Sequence, residues 1–205
     1  MRVWAIVVAA GTGSRFGRPK QFELLGGRSL LDWSSGVAAK ACDDVVVVRP
    51  RANSVLSERM VFGGATRSES VRNGLAAVPP DVDIVVVHDA ARPLASADLF
   101  HAVIGAVEAG ADAAIPAVPV TDTVKRVDGG RVAETLDRST LVAVQTPQAF
   151  RAAVLRAAHA SGREATDDAA LVEALGGTVV VVPGETTNIK VTTPADLRIA
   201  EVLRA

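Results

Sequence analysis

Cysteine is almost absent from this chain of 205 residues: Cys42 stands alone. No internal disulfide can form, and no histidine or cysteine partners lie at zinc-ligand spacing, so a reducing compartment is the simplest setting and the thiol reads as a buried structural group. Aromatic residues are scarce at 3%, and the formal net charge is only -1. A nucleic-acid binder would show a basic stripe or stacking aromatics, so that class is excluded and any phosphate site must be local. Long apolar runs are missing too, since none approaches the roughly 18 residues that span a membrane. Val3 to Ala10 imitates the apolar part of a signal peptide, with Ala9 and Ala10 at the cleavage position, but cleavage would remove the strand that presents the glycine loop behind it. The chain reads as soluble and cytoplasmic, with neither nucleic acid nor membrane as a partner.

What is present is an alternation of β-branched runs and helical periods. No internal repeat or low-complexity linker interrupts it, and the length suits one α/β domain over 1–205. Val3 to Ala10 is unbroken apolar sequence, as expected of a strand buried on both faces. The spacing predicts a helix over Ser29 to Cys42 and a strand over Val45 to Val48. A short helix or loop is expected over Pro50 to Glu58. Met60 to Phe62 reads as a strand turning through Gly63 and Gly64 into a helix over Arg67 to Val78, which Pro79 and Pro80 end. Ile84 to Val87 is a strand whose end carries His88, Asp89 and Arg92, at the edge where open α/β sheets bind ligands.

Ser96 reads as the N-cap of a helix to Ala109, and Ala113 to Val118 as a strand interrupted by Pro116. Gln145 to Gln148 marks re-entry to the sheet, followed by a helix over Arg151 to Ala160. Thr166 reads as N-cap of a helix to Leu175, with Asp167 and Asp168 in its first turn. Val179 to Val182 supplies a further strand, and Pro194 opens a last helix running through Arg204. The fold expected is Rossmann-like: a doubly wound, mostly parallel sheet with helices on both faces. One stretch departs from it. Thr123 to Val127 and Arg131 to Leu136 flank Asp128-Gly129-Gly130, the sequence of a β-hairpin. A hairpin without a core of its own must pack on something, and residues 121–138 read as an arm that contacts a second subunit.

The glycine loop after the first strand carries the chemistry. Gly11 and Gly13 let main-chain N–H groups face an anion, and Arg15 and Lys20 add full charges. It is not a dinucleotide fingerprint, because Phe16 stands where glycine is needed, nor a Walker A loop, because Gln21 follows Lys20. It resembles the G-x-G-x-R...P-K signature of nucleotidyltransferases. With GGATRSESV at 63–71, VHDAARP at 87–93, TDTVKR at 121–126, TLDR at 135–138, TPQAF at 146–150, TDDA at 166–169 and NIKVT at 188–192, nearly the whole chain resembles the 2-C-methyl-D-erythritol 4-phosphate cytidylyltransferases.

That resemblance implies transfer of a cytidylyl group from CTP to a polyol phosphate in non-mevalonate isoprenoid synthesis, with magnesium on the triphosphate and a homodimer formed through the arm. Arg15 and Lys20 would stabilise charge on the triphosphate; Arg138 and Lys190 would hold the methylerythritol phosphate, Arg138 reaching the site of the partner subunit. Gly64 and Ser70, with backbone around Ala10, Gly11, Gly13 and Ala90, would read cytosine and ribose. Asp89, Arg92, Thr123 and Thr166 would line the polyol phosphate pocket, and Asp89 also borders the nucleotide and is the one residue suggested as a metal ligand. From the residues alone, Asp89 equally suits an Asx turn or helix cap, and Thr166 equally suits an N-cap. Two competing readings stay open: a ribitol-phosphate cytidylyltransferase, and a catalytically silent nucleotide-binding dimer. The four residues between Arg15 and Lys20 and the compact stretch 49–60 depart from the family pattern. His88 is assigned to the strand end, and His101 and His159 to helix surfaces.

Overall fold

The computed structural model describes residues 1–51 and 59–204. In chain order, the strand β1 (Val3–Val8) leads through the glycine loop and a 3-10 turn at Lys20–Phe22 to a small hairpin, β2 (Leu24–Leu25) and β3 (Arg28–Ser29). Then follow α1 (Leu30–Ala41), β4 (Asp44–Arg49), β5 (Met60–Phe62), α2 (Arg67–Ala77), β6 (Ile84–Asp89), α3 (Ala97–Glu108) and β7 (Ala113–Pro119). A second hairpin, β8 (Lys125–Asp128) and β9 (Arg131–Thr135), precedes β10 (Val142–Val144) and β11 (Gln148–Arg151). The chain ends with α4 (Ala152–Ala160), α5 (Asp168–Glu173), β12 (Val179–Pro183) and α6 (Pro194–Arg204).

The central sheet runs β10-β7-β11-β6-β1-β4-β5, with β12 on the other side of β7. β6, β1, β4 and β5 are mutually parallel, and the register sets Val8 opposite both Val48 and Asp89. Their carboxyl ends are therefore level, and the loops that leave them share one edge. β1 is buried on both faces, and its successive side chains point to opposite ones. Trp4 and Ile6 face one cluster with Val71, Leu75, Leu155 and Leu171 from α2, α4 and α5. Val3, Ala5 and Val7 face the opposite cluster with Leu31, Ala38, Phe100 and Val103 from α1 and α3. A large, fully buried side chain among these, such as Phe100 or Leu155, contributes about 1.5–3 kcal/mol relative to exposure. Gly74 lets α2 lie close on the sheet, since a Cβ there would sit 2.6 Å from Ile6 Cγ2.

A third, smaller cluster seats the functional loops. Phe16 packs with Leu25, Leu30, Val191 and Ala200. The residue that breaks the dinucleotide pattern is thus the anchor of the glycine loop, and Val191 ties the segment holding Lys190 to the same patch.

Most elements expected from the sequence form where periodicity places them, but the small hairpin β2-β3 is an addition and four other features differ. β10 and β11 were not foreseen as strands, and β11 runs antiparallel to both β6 and β7, because the chain returns after the arm from the opposite direction. Pro116 does not interrupt β7: its carbonyl accepts from Gln145 N at 2.8 Å and the strand continues to Pro119. The cap of α5 is Asp167, whose side chain accepts from Ala170 N, not Thr166, and Asp168 follows inside the first turn. His159 is no surface residue; it is 3% exposed, because α4 turns its last residues toward α5. Of the stretch 49–60, residues 52–58 lie outside the described residues.

The arm hairpin forms as expected. Asp128 pairs with Arg131 across Gly129 and Gly130, whose φ of 54° and 79° suit a type I′ turn. It is a sheet of its own, exposed at every residue of both strands.

Candidate active site

A cavity of about 520 Å³ opens where β1 and β6 end. Its floor is the glycine loop. Gly13, at φ +71°, accepts from Phe16 N and Gly17 N at 2.8 and 2.9 Å, and a Cβ on it would lie 1.9 Å from the Arg18 carbonyl. Only glycine makes that turn. Gly11 is different: nothing lies within 4 Å of where its Cβ would be, and its carbonyl is held by Gln21 Nε2 at 3.2 Å. The main chain at Gly11 therefore borders open space.

The second glycine corner leans on the first. A Cβ on Gly63 would meet Ala10 Cβ at 2.2 Å. Gly64 N donates to Ser70 Oγ at 3.1 Å, and Ser70 Oγ donates to the Thr66 carbonyl at 2.8 Å. Thr66 caps α2 through Glu69 N, while the Glu69 carboxylate takes Ala65 N, so the start of α2 is closed reciprocally. Ala90, fixed by Ala90 N to Val8 O at 3.0 Å, completes this wall.

Arg15, Lys20, Lys190 and Arg67 all line the cavity. Gln21 is buried in the turn Lys20–Phe22, which presents Lys20 half-buried. Burial, with Lys190 and Arg15 adding repulsion, holds the Lys20 ammonium below its ordinary pKa. Like charges gathered against this cost favour an anionic guest.

Among the described residues, Asp89 is the one carboxylate on the cavity wall. Its Oδ2 accepts from Lys190 Nζ at 2.6 Å and its Oδ1 from Arg67 Nε at 3.3 Å. Burial pushes its pKa up, but Arg67 and Lys190 outweigh that and hold it well below the usual carboxylate range. Beside it His88 is fully buried, bonded to Thr146 Oγ1 and the Arg92 carbonyl, and burial pushes its pKa down to about 4. Its ring is a neutral support.

The remaining residues expected at the site are elsewhere. Arg92 is outside the cavity; its guanidinium donates to the carbonyls of Asn188 at 2.7 Å and Val144 at 3.3 Å, bracing the segment that carries Lys190. Arg138 lies exposed in a 3-10 turn and donates to the Thr121 carbonyl. Thr123 and Thr166 are exposed, and neither lines the cavity. Conversely, sequence reading passed over Arg67, although it directly follows the Thr66 cap inside a quoted motif. Its position at the start of a helix behind two glycines was the available signal.

Among the described residues no group of three or more His, Cys, Asp or Glu could hold a metal. Asp89, with both oxygens engaged, fits only a cation that arrives with its own oxygen ligands.

The chain is similar over its whole length to proteins of one family. The family model for IspD, 2-C-methyl-D-erythritol 4-phosphate cytidylyltransferase, matches residues 3–204. The chain is 49% identical over 226 residues to the bifunctional enzyme IspD/IspF of Clavibacter michiganensis, covering 100% of this chain and 55% of that protein. It thus spans about half the length of the bifunctional relatives that it matches. It is 45% identical to the 2-C-methyl-D-erythritol 4-phosphate cytidylyltransferase of Rubrobacter xylanophilus, covering 98% of this chain and 94% of that one. The crystal structure of the enzyme of that name from Thermus thermophilus superposes with a TM-score of 0.85 at 39% identity, covering 100% of both chains.

Proposed function

The chain belongs to the 2-C-methyl-D-erythritol 4-phosphate cytidylyltransferase family, and from that premise we propose that it transfers the cytidylyl group of CTP to 2-C-methyl-D-erythritol 4-phosphate. A phosphate oxygen of the acceptor attacks the α-phosphorus of CTP, the bond from that phosphorus to the bridging oxygen breaks, and pyrophosphate leaves with the electron pair. The observation that carries the reading is the convergence of Arg15, Lys20 and Lys190 on one cavity floored by the bare main chain at Gly11.

Bringing two anions together is the physical difficulty, and cations fixed in advance lower it. Arg15 and Lys20 face the triphosphate, Arg15 as a planar fork and Lys20 as a point charge. Lys190, held by Asp89, meets the incoming acceptor phosphate. Ala10, Gly11, Gly13, Gly64, Ser70, Asp89 and Ala90 bound the nucleoside. Asp89 would border a magnesium ion carried by the triphosphate, which would supply further charge neutralisation.

Arg138 and Thr123 join the site from a second copy through the arm 121–138, and Arg92 and Thr166 border the polyol pocket of that assembly. In support, the arm exposes Val127 and Val132 at 58% and 62%, apolar surface that a partner would cover. One catalytic domain over 1–205, acting in the reducing cytoplasm, accommodates all of this; among the described residues no helix is long and apolar enough to cross a membrane. Pyrophosphate release from CTP, measured with methylerythritol phosphate and with ribitol phosphate as acceptors, tests the reading. Turnover only with the former supports it, preference for ribitol phosphate replaces the acceptor, and binding of CTP without turnover leaves a silent nucleotide-binding protein.

A further inference from the structure

Behind the cavity wall an ion-pair chain runs deeper than the proposed chemistry requires. Asp168, at the start of α5 and 0% exposed, accepts from Arg67 Nη1 at 2.8 Å on Oδ2 and from His159 Nε2 at 2.9 Å on Oδ1. Arg67 in turn reaches Asp89, and Asp89 reaches Lys190. Five residues from α4, α5, α2, β6 and the Lys190 segment form one line. Three of them face the cavity; His159 and Asp168 do not.

Asp168 is not needed to cap α5. The cap of α5 is already made by Asp167, and a wholly buried carboxylate costs several kcal/mol of desolvation that an apolar residue would avoid. What it does is divide the Arg67 fork. With Nη1 fixed on Asp168, Arg67 meets Asp89 through Nε alone, on Oδ1, and leaves Oδ2 to Lys190. Released from Asp168, a guanidinium would close on Asp89 with two parallel bonds, the geometry such pairs favour, and would compete for the oxygen that orients the lysine. His159 holds Asp168 from the far side. Among the described residues its Nδ1 is buried without a hydrogen-bond partner, and the ring's one hydrogen bond there is to Asp168.

We infer that His159 and Asp168 are positioning residues for the transfer reaction: they hold Arg67 off one oxygen of Asp89 and thereby fix Lys190 toward the acceptor phosphate. This rests on the transfer reading above. The test is steady-state pyrophosphate release by the full chain, with CTP and methylerythritol phosphate each varied, beside a thermal melt. His159→Leu fills the site without a donor, and His159→Gln restores a donor near Nε2. Expected are a kcat about tenfold or more lower in His159→Leu with the KM for CTP within threefold, and recovery to within threefold of wild type in His159→Gln. A purely structural histidine would lower the melting temperature and leave the kcat of the folded protein unchanged; that result overturns the inference, as does a loss confined to KM or a glutamine variant as slow as the leucine. If His159→Leu does not fold, Asp168→Asn, which keeps the shape and removes the charge, is measured instead, and an unchanged kcat there is equally fatal. Absence of turnover in the wild type sinks the transfer reading itself, whereas active wild type with unaffected variants sinks only the positioning role.

Discussion

Replacing Lys20 by alanine separates a binding role from a transition-state role. The ammonium is half-buried on the cavity wall, with burial first and then Lys190 and Arg15 lowering its pKa. Loss of one preorganised electrostatic partner costs roughly a hundred- to a thousandfold in turnover, or about 2.7–4 kcal/mol. Folding stability should move the other way or not at all. Each like-charge contact relieved is worth a few tenths of a kcal/mol at a partly exposed position, and for a chain of this size 1 kcal/mol is roughly 2–4 °C in Tm. The expected result is therefore a large fall in kcat with Tm unchanged or up by about 1–2 °C. A pH series adds a sign. An incoming polyanion raises the depressed pKa, so CTP affinity of the wild type falls as pH rises through that lowered value and above it, where binding takes up a proton, and the alanine variant loses the slope. The assays are pyrophosphate release against CTP concentration, calorimetric CTP binding between neutral and alkaline pH, and a thermal melt. A loss confined to KM, or a Tm lower by about 5 °C, would refute the reasoning.

Other expectations follow from neighbouring features. Gly13→Ala, with positive φ and a Cβ 1.9 Å from backbone, should destabilise by on the order of 2–4 kcal/mol; Gly11→Ala, with open space around it, should leave the melt unchanged and weaken CTP binding by calorimetry, and equal melting losses in both would contradict the loop geometry. Deleting Thr123 to Glu134 should give a folded but inactive monomer in analytical ultracentrifugation, and full activity in that monomer would remove the arm from the mechanism. His88 has a folded pKa depressed from 6.5 to about 4, so its stabilising contribution is complete above pH 6.5 and is lost as pH falls through that window, up to about 3 kcal/mol. His88→Gln should flatten the decline in urea unfolding free energy between pH 7 and 5, and parallel declines would show that the buried ring is not its source.

Much of the architecture was legible because its causes are local. The run Val3 to Val8 must be a buried strand whatever surrounds it, Ser29 and Ser96 cap the helices that follow them, and Gly129-Gly130 turns the arm by its own φ preference. The short charged motifs likewise marked Arg15, Lys20, Asp89 and Lys190, which the fold does bring to one cavity. Where several residues competed for a local role, the sequence was ambiguous: Thr166 and Asp167 are both good caps, and it is Asp167 that accepts from Ala170 N.

The amino-acid order alone thus settled most of the strands and caps, the two glycine corners and the cations Arg15, Lys20 and Lys190, all of which depend on neighbours a few residues away. Tertiary structure alone decided which charges meet. Lys190 finds Asp89 across 101 positions, Arg67 finds Asp168 across the same distance, and His159 turns inward to the pair. Those contacts depend on the register that levels the ends of β1 and β6 and on helices crossing behind them, and no local preference of a lysine or a histidine specifies either.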